Sequence, residues 1–150
     1  MIALLQRVTE ASVSVAGQQV AAIGPGMLVL AAVEPGDGDA TVERMAERLL
    51  AYRLFADAEG RMNRNLAAVG GDLLLVPQFT LAADTDSGNR PSFSSAASPA
   101  LGRQRFDELV AALRRRGQAV ATGRFGADMQ LALVNDGPVT FLLHVAGTSA

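Results

Sequence analysis

Two short segments hold most of the groups in this chain that could do chemistry. In Val76-Pro77-Gln78-Phe79-Thr80-Leu81 an apolar run ends in an amide and a hydroxyl. In Asn135-Asp136-Gly137-Pro138-Val139-Thr140 a Gly-Pro pair sits between two apolar runs. Thr80 is the nucleophile candidate, but a hydroxyl without a neighbouring base stays protonated and reacts slowly. The only histidine, His144, alternates with Phe141, Leu143 and Val145 near the chain end, a pattern that suits a structural role. Cysteine and lysine are absent and no Gly-x-Ser-x-Gly elbow exists, which removes thiolate, Schiff-base and serine-hydrolase chemistry. Asp84-x-Asp86 places two carboxylates in a polar stretch without the further ligands a metal needs, so no metal is expected. Gly137-Pro138 offers geometry instead of a reactive group. Proline fixes its own φ and cannot donate to a ladder, and an X-Pro bond is where a cis peptide costs only ~0.5–1 kcal/mol. With no Cβ on Gly137, the pair can aim two carbonyl oxygens in one fixed direction.

The elements that must position these groups read as follows. Ala3 to Thr9 and Ser12 to Ala16 suit half-buried strands, with Gly17-Gln18 turning into a third over Gln19 to Ile23. Gly24-Pro25-Gly26 punctuates the chain before the buried-type run Met27 to Leu30. Asp39 can cap a helix whose apolar stripe is Val42, Met45, Ala46, Leu49 and Leu50. Asp72 to Val76 is a short buried strand, and Pro77, lacking an N–H, places its end there or at an edge. A second helix starts with Ser98 as cap and Pro99 at its first position, carries Phe106, Leu109, Val110 and Leu113 inward, and stops at Gly117. Arg114, Arg115 and Arg116 complement the dipole of its last turn. Gln118 to Thr122, Met129 to Val134 and Val139 to Val145 complete the strands, and the last residues, 146 to 150, read as a frayed tail. The stretch Ala82 to Ser98 fits neither class and follows Thr80-Leu81 directly, so a lid or wall over that site is expected.

A chain of 150 residues, 49% hydrophobic but only 5% aromatic, fits one domain with an aliphatic core. No apolar run approaches the ~20 residues of a spanning helix, and no basic-then-apolar leader opens the chain. A soluble cytoplasmic protein is the plain expectation. The net charge of −2 argues against a grip on long stretches of phosphate. Every basic residue is Arg, which leaves local bidentate phosphate contacts open.

The two segments resemble the Ser-Gln-Phe-Thr and Asn-x-Gly-Pro-Val-Thr motifs of the D-aminoacyl-tRNA deacylase family. The opening Met1 to Val8, Tyr52-Arg53-Leu54-Phe55 with Asp57, Gly60, Met62 and Asn63, Arg90 to Ser94, and Thr122 to Phe125 with Asp128-Met129-Gln130 extend the likeness, in family order, from Met1 to Val145. The resemblance implies an α/β fold: one domain, its mixed β-sheets forming a barrel-like sandwich with two main helices on one side, as a strand-rich chain with two helices also allows. It implies recognition of the aminoacylated 3′ end of tRNA, without cofactor, by a homodimer. Gln78, Phe79 and Thr80 would line the aminoacyl site, Gly137-Pro138 in cis form would reach the partner's pocket, and Arg7 would hold that element. Phe125 and Met129 are candidates for contacting the adenosine, ordinary packing being the alternative. The 2′-hydroxyl of the terminal adenosine would assist water attack. An L side chain would collide with the Gly-Pro carbonyls while a D side chain would not, and glycine would pass. The family Ser is Pro77 here, so no mechanism that needs that hydroxyl applies. A Thr80-nucleophile esterase, a non-catalytic nucleic-acid-binding module and a purely structural homodimer stay open as rivals.

Overall fold

The computed structural model describes residues 1–148. In chain order it comprises β1 (Ile2–Val15), β2 (Gln18–Ile23), β3 (Gly26–Ala32), α1 (Asp39–Ala51), β4 (Phe55–Ala56), β5 (Met62–Arg64), α2 (Leu66–Val69), β6 (Asp72–Pro77), a 3-10 turn (Phe79–Ala82), α3 (Pro99–Arg115), β7 (Val120–Thr122) and β8 (Gln130–His144). One mixed sheet runs β2-β1-β3-β6-β7, with β8 also pairing β1. The first half of β1 lies antiparallel to β3, Ile2 opposite Ala32. Its second half lies against β2, Ala11 opposite Ile23, and β8 flanks both halves. Strands β3, β6 and β7 are parallel neighbours, which requires crossovers. α1 lies in the crossover from β3 to β6, and α3 in that from β6 to β7.

Side chains alternate along these strands with period two, so each strand feeds two cores. Met27, Val29, Leu73 and Leu75 point to one face, where Met45 and Leu49 of α1 and Phe106, Leu109 and Leu113 of α3 cover them. Leu28, Leu74 and Val76 point to the other, which closes on Val8, Ala11 and Val13 with Leu131 and Leu133 of β8. The sheet therefore curls around the second core while both long helices sit outside it. This is the expected barrel-like α/β architecture, with a short third helix, α2, that the composition of 66–69 did not announce; Asn65 caps it by accepting from Ala68 N.

Several local expectations change. β1 is one strand, because register shifts between Gln6 and Val8 and again between Val8 and Glu10 absorb the polar Thr9-Glu10 step. The hairpin turn falls on Ala16-Gly17, at φ of 50° and 80°, where left-handed residues match the strand twist. Gly38, not Asp39, caps α1. The Gly38 N–H donates to Thr41 Oγ1 at 3.1 Å, and the Asp39 carboxylate instead accepts from Arg105 at 2.8 Å. Ser98 and Pro99 open α3 as expected, with Leu101 N donating to Ser98 Oγ. The two terminal strands are a single one, β8.

The Met1 α-ammonium is fully buried. It donates to Asp37 Oδ1 at 2.7 Å, Glu34 Oε1 at 2.9 Å and the Val145 carbonyl at 2.7 Å. His144 Nε2 meets the same Glu34 oxygen at 2.6 Å. Of the segment 146–150, Gly147 lies against the backbone of Gly36 and Asp37, and residues 149 and 150 lie outside the described residues.

Candidate active site

Strand β6 ends at Pro77, opposite Ala31, and the Gln78 N–H still reaches the Ala31 carbonyl at 2.8 Å. The chain then tightens into the 3-10 turn, which throws Phe79 and Thr80 to the surface. Gln78 Nε2 donates to Thr80 Oγ1 at 2.8 Å. Among the described residues no base approaches that hydroxyl, so Thr80 is placed but not activated. The Phe79 and Thr80 N–H groups have no protein partner among the described residues, as first-turn donors commonly do not.

Beside this turn lies a cleft of about 420 Å³. Pro77, Gln78 and Phe79 form one wall, Gly102 and Phe106 of α3 a second, and Phe125 and Met129 from the turn before β8 a third. Two glycines let the walls close. A Cβ on Gly102 would stand 3.3 Å from Phe125 Cζ, and one on Gly123 would stand 2.9 Å from Met129 Sδ and 3.3 Å from Pro77 Cδ. Pro77 thus contributes a packed ring where the family motif has a hydroxyl. Phe125 tilts against Phe106 with centroids 6.4 Å apart, and the Arg103 guanidinium sits 5.2 Å from the Phe125 centroid. The stretch 82–98 supplies a wall: Ala97 and Ser98 line the cleft. Its base is pinned by Ser95 Oγ to Ala82 O at 2.7 Å, Ala97 N to Val33 O at 3.2 Å and the Asp84–Ser92 bridge. Phe93 from its tip tilts against Phe79 with centroids 5.2 Å apart, both rings substantially exposed.

The second motif lies elsewhere. Along the β1–β8 ladder, Gln6 faces Thr140 and Val8 faces Asn135, so Asp136 to Val139 loop out opposite Arg7 alone. The Gly137-Pro138 bond is cis. Asn135 Nδ2 donates to the Arg7 carbonyl at 2.9 Å and the Val139 carbonyl at 3.1 Å, closing the neck of the loop. Arg7 Nε donates to the Asp136 carbonyl at 2.9 Å and lies 3.2 Å from its carboxylate, while Nη1 reaches the Leu54 carbonyl at 3.0 Å. Gly137 and Pro138 are exposed and do not line the chain's own cleft.

The geometry therefore gathers Gln78, Phe79, Phe125 and Met129 around one cleft, sets Thr80 at its rim, and keeps Gly137, Pro138 and Arg7 as a separate protrusion. Sequence reasoning missed Gly102 and Gly123, whose role depends on contacts across the fold. Asp84 and Asp86 serve their own loop, Asp84 Oδ1 accepting from Asp86 N at 2.9 Å. Among the described residues no three His, Cys, Asp or Glu side chains cluster to hold a metal, and no helix is long and apolar enough to cross a membrane.

The sequence matches the D-Tyr-tRNA(Tyr) deacylase family over residues 4–144. The chain belongs to that family. It is accordingly a hydrolase of the D-aminoacyl-tRNA deacylase class. Curated relatives named D-aminoacyl-tRNA deacylase include one from Methylococcus capsulatus, 67% identical over 96% of this chain and 94% of that protein. Another, from Azotobacter vinelandii, is 64% identical over 96% of this chain and 99% of that protein. Among solved structures, one titled c-Myc DNA Unwinding Element Binding Protein superposes with a TM-score of 0.92 at 35% identity, covering 98% of this chain and all of that one. A probable eukaryotic D-amino acid tRNA deacylase, at 20% identity and a TM-score of 0.81 over 95% of this chain and 97% of that one, shares the fold.

Proposed function

We propose that this cytoplasmic protein cleaves the ester joining a D-amino acid to the 3′ end of tRNA, accepts glycyl-tRNA as well, and refuses L-aminoacyl-tRNA. One observation carries the reading: a cleft walled largely by aromatic and apolar groups, with Gln78, Ser98 and Asp128 as its polar side chains, beside which the Thr80 hydroxyl meets the Gln78 amide and, among the described residues, no base. The terminal adenosine packs on Phe125 and Met129. Its 2′-hydroxyl assists a water molecule that adds to the ester carbonyl. The carbonyl–O3′ bond then breaks, releasing the amino acid and regenerating the ribose hydroxyl. The free N–H groups of Phe79 and Thr80 can face the developing oxyanion, where preorganised donors stabilise charge.

Chirality is read in a homodimer, where the Gly137-Pro138 protrusion of one copy enters the cleft of the other. The outer strand β8 presents Val134 and Leu142 to solvent, 48% and 62% exposed, an apolar surface suited to a second copy. Selection works by rejection, so D side chains need no dedicated contact.

Deacylation of D-tyrosyl-, L-tyrosyl- and glycyl-tRNA, each with a normal or a 2′-deoxy terminal adenosine, tests the reading. Thr80→Ala should keep its rate within about tenfold of wild type, because oriented but unactivated hydroxyls contribute modestly. The 2′-deoxy substrate should be nearly inert; its rapid turnover would refute substrate assistance. The name of one solved relative supports a second reading, non-catalytic DNA binding. Tight, salt-sensitive binding of plain duplex DNA together with inertness toward every aminoacyl-tRNA would favour it.

A further inference from the structure

A groove of about 380 Å³ runs beside the cleft and shares Phe106 and Phe125 with it as a common wall. Arg103, Arg114 and Arg124 converge on it from α3 and from the turn before β8. Five of the thirteen arginines are engaged by acids: Arg7 by Asp136, Arg44 by Glu47, Arg105 by Asp39 and Glu108, and Arg115 and Arg116 by Glu43. The three in the groove are exposed and form no ion pair among the described residues. Arg114 spends one Nη on the Val120 carbonyl at 3.0 Å, Arg103 lies over Phe125, and the Arg124 side chain makes no hydrogen bond among the described residues. A single acid, Asp107, also lines the groove. In a chain of net charge −2 this is a local concentration of unneutralised cations, and it opens onto the cleft.

We propose that this groove is the track for the single-stranded RNA backbone leading to the terminal adenosine, with Arg103 and Arg124 on its phosphates and Arg114 behind them. The inference rests on the reading that the cleft takes that adenosine. Guanidinium groups grip phosphate oxygens bidentately, and single-stranded ends are where proteins commonly read RNA. The groove's size limits the grip to a few phosphates, which agrees with the acidic balance of the rest of the surface.

The test compares two substrates, D-tyrosyl-tRNA and D-tyrosyl-adenosine, which has the nucleoside but no phosphate. The double variant Arg103→Gln/Arg124→Gln should lose roughly tenfold in kcat/KM on the tRNA and nothing on the adenosine ester. Its log–log salt slope should flatten by about 1.4, at about 0.7 for each single-strand phosphate contact. Asp107→Asn should raise kcat/KM on the tRNA, and Arg115→Gln, outside the groove lining and paired with Glu43, should change nothing. Unchanged kinetics and slope in the double variant would overturn the proposal, as would an equal loss on both substrates. Titration with a short single-stranded RNA ending in adenosine separates this from the deacylase reading. If the wild type cleaves neither ester, loss of RNA binding in the double variant still supports the groove, and unchanged binding overturns it.

Discussion

Arg7 holds the protrusion together with Asn135, since its Nε binds the Asp136 carbonyl and faces the Asp136 carboxylate while its Nη1 anchors it to the Leu54 carbonyl. Arg7→Ala removes charge-assisted bonds of ~1.5–3 kcal/mol each in a partly buried setting. The loop then loses its direction, and hydrolysis of L-tyrosyl-tRNA should rise at least about tenfold while D-tyrosyl-tRNA is cleaved much as before; a 1.4 kcal/mol change suffices for that factor. Arg7→Lys should fail to restore rejection, because an ammonium cannot span both carbonyls as the planar fork does. Gly137→Ala should act likewise, since its Cβ would stand 2.5 Å from Val139 N and against the Asn135 amide that closes the loop. An L-to-D rate ratio unchanged from wild type in either variant would contradict this. At the opposite end of the strand, Asp37 is a buried carboxylate bonded to the Met1 ammonium and, through Oδ2, to Glu34 N at 2.8 Å. Asp37→Ala leaves that buried cation with Glu34 as its remaining ionic partner and should cost ~1–3 kcal/mol in urea denaturation.

Among the elements, α3 was legible because its signals are local: Ser98 and Pro99 at the start, a helical stripe, and Gly117 at φ 88° after the end. The run 114–116 was legible only in part. Arg115 and Arg116 settle on Glu43 of α1, a contact across the fold, whereas Arg114 turns to the groove. β8 was read as two strands because Gly137-Pro138 interrupts its pattern, and only the pairing to β1 reveals one strand carrying a loop. The same limit hid Gly102 and Gly123. A glycine says that a backbone can be approached, not what approaches it, and here the neighbours lie up to 47 residues away in the chain, as Val76 is from Gly123. Gly123→Ala should therefore push Met129 Sδ from its 2.9 Å position into the cleft. Overpacking of this kind costs ~1–3 kcal/mol, and the KM for D-tyrosyl-tRNA should rise with the thermal midpoint falling only a few degrees. A KM equal to wild type would show that the cleft wall has slack.

For the molecule as a whole, the ends of β1 and β8 are tied by one charged knot with a definite pH response. Burial pushes the Glu34 carboxyl up, but its hydrogen bonds and charges with the Met1 ammonium and His144 outweigh this and hold it below its ordinary 4.5. A carboxylate depressed on folding stabilises above its unfolded pKa and loses that contribution as pH falls through the folded value. Glu34→Gln should therefore be less stable than wild type at pH 7, and the two unfolding curves should converge below about pH 4.5. The looped strand has a different global consequence. Leu131 lines the cleft and Gly137 tops the protrusion on the same β8, a span of at most roughly 20 Å at about 3.3 Å per residue. On the two-copy reading, a chain's stereochemical guard works in trans. Consider a mixed pair in which one chain carries both Gly137→Ala and a cleft plugged by Gly102→Trp, beside a wild-type chain. Its single working cleft has a native sequence throughout, yet it would hydrolyse the mirror-image ester that a wild-type pair leaves intact.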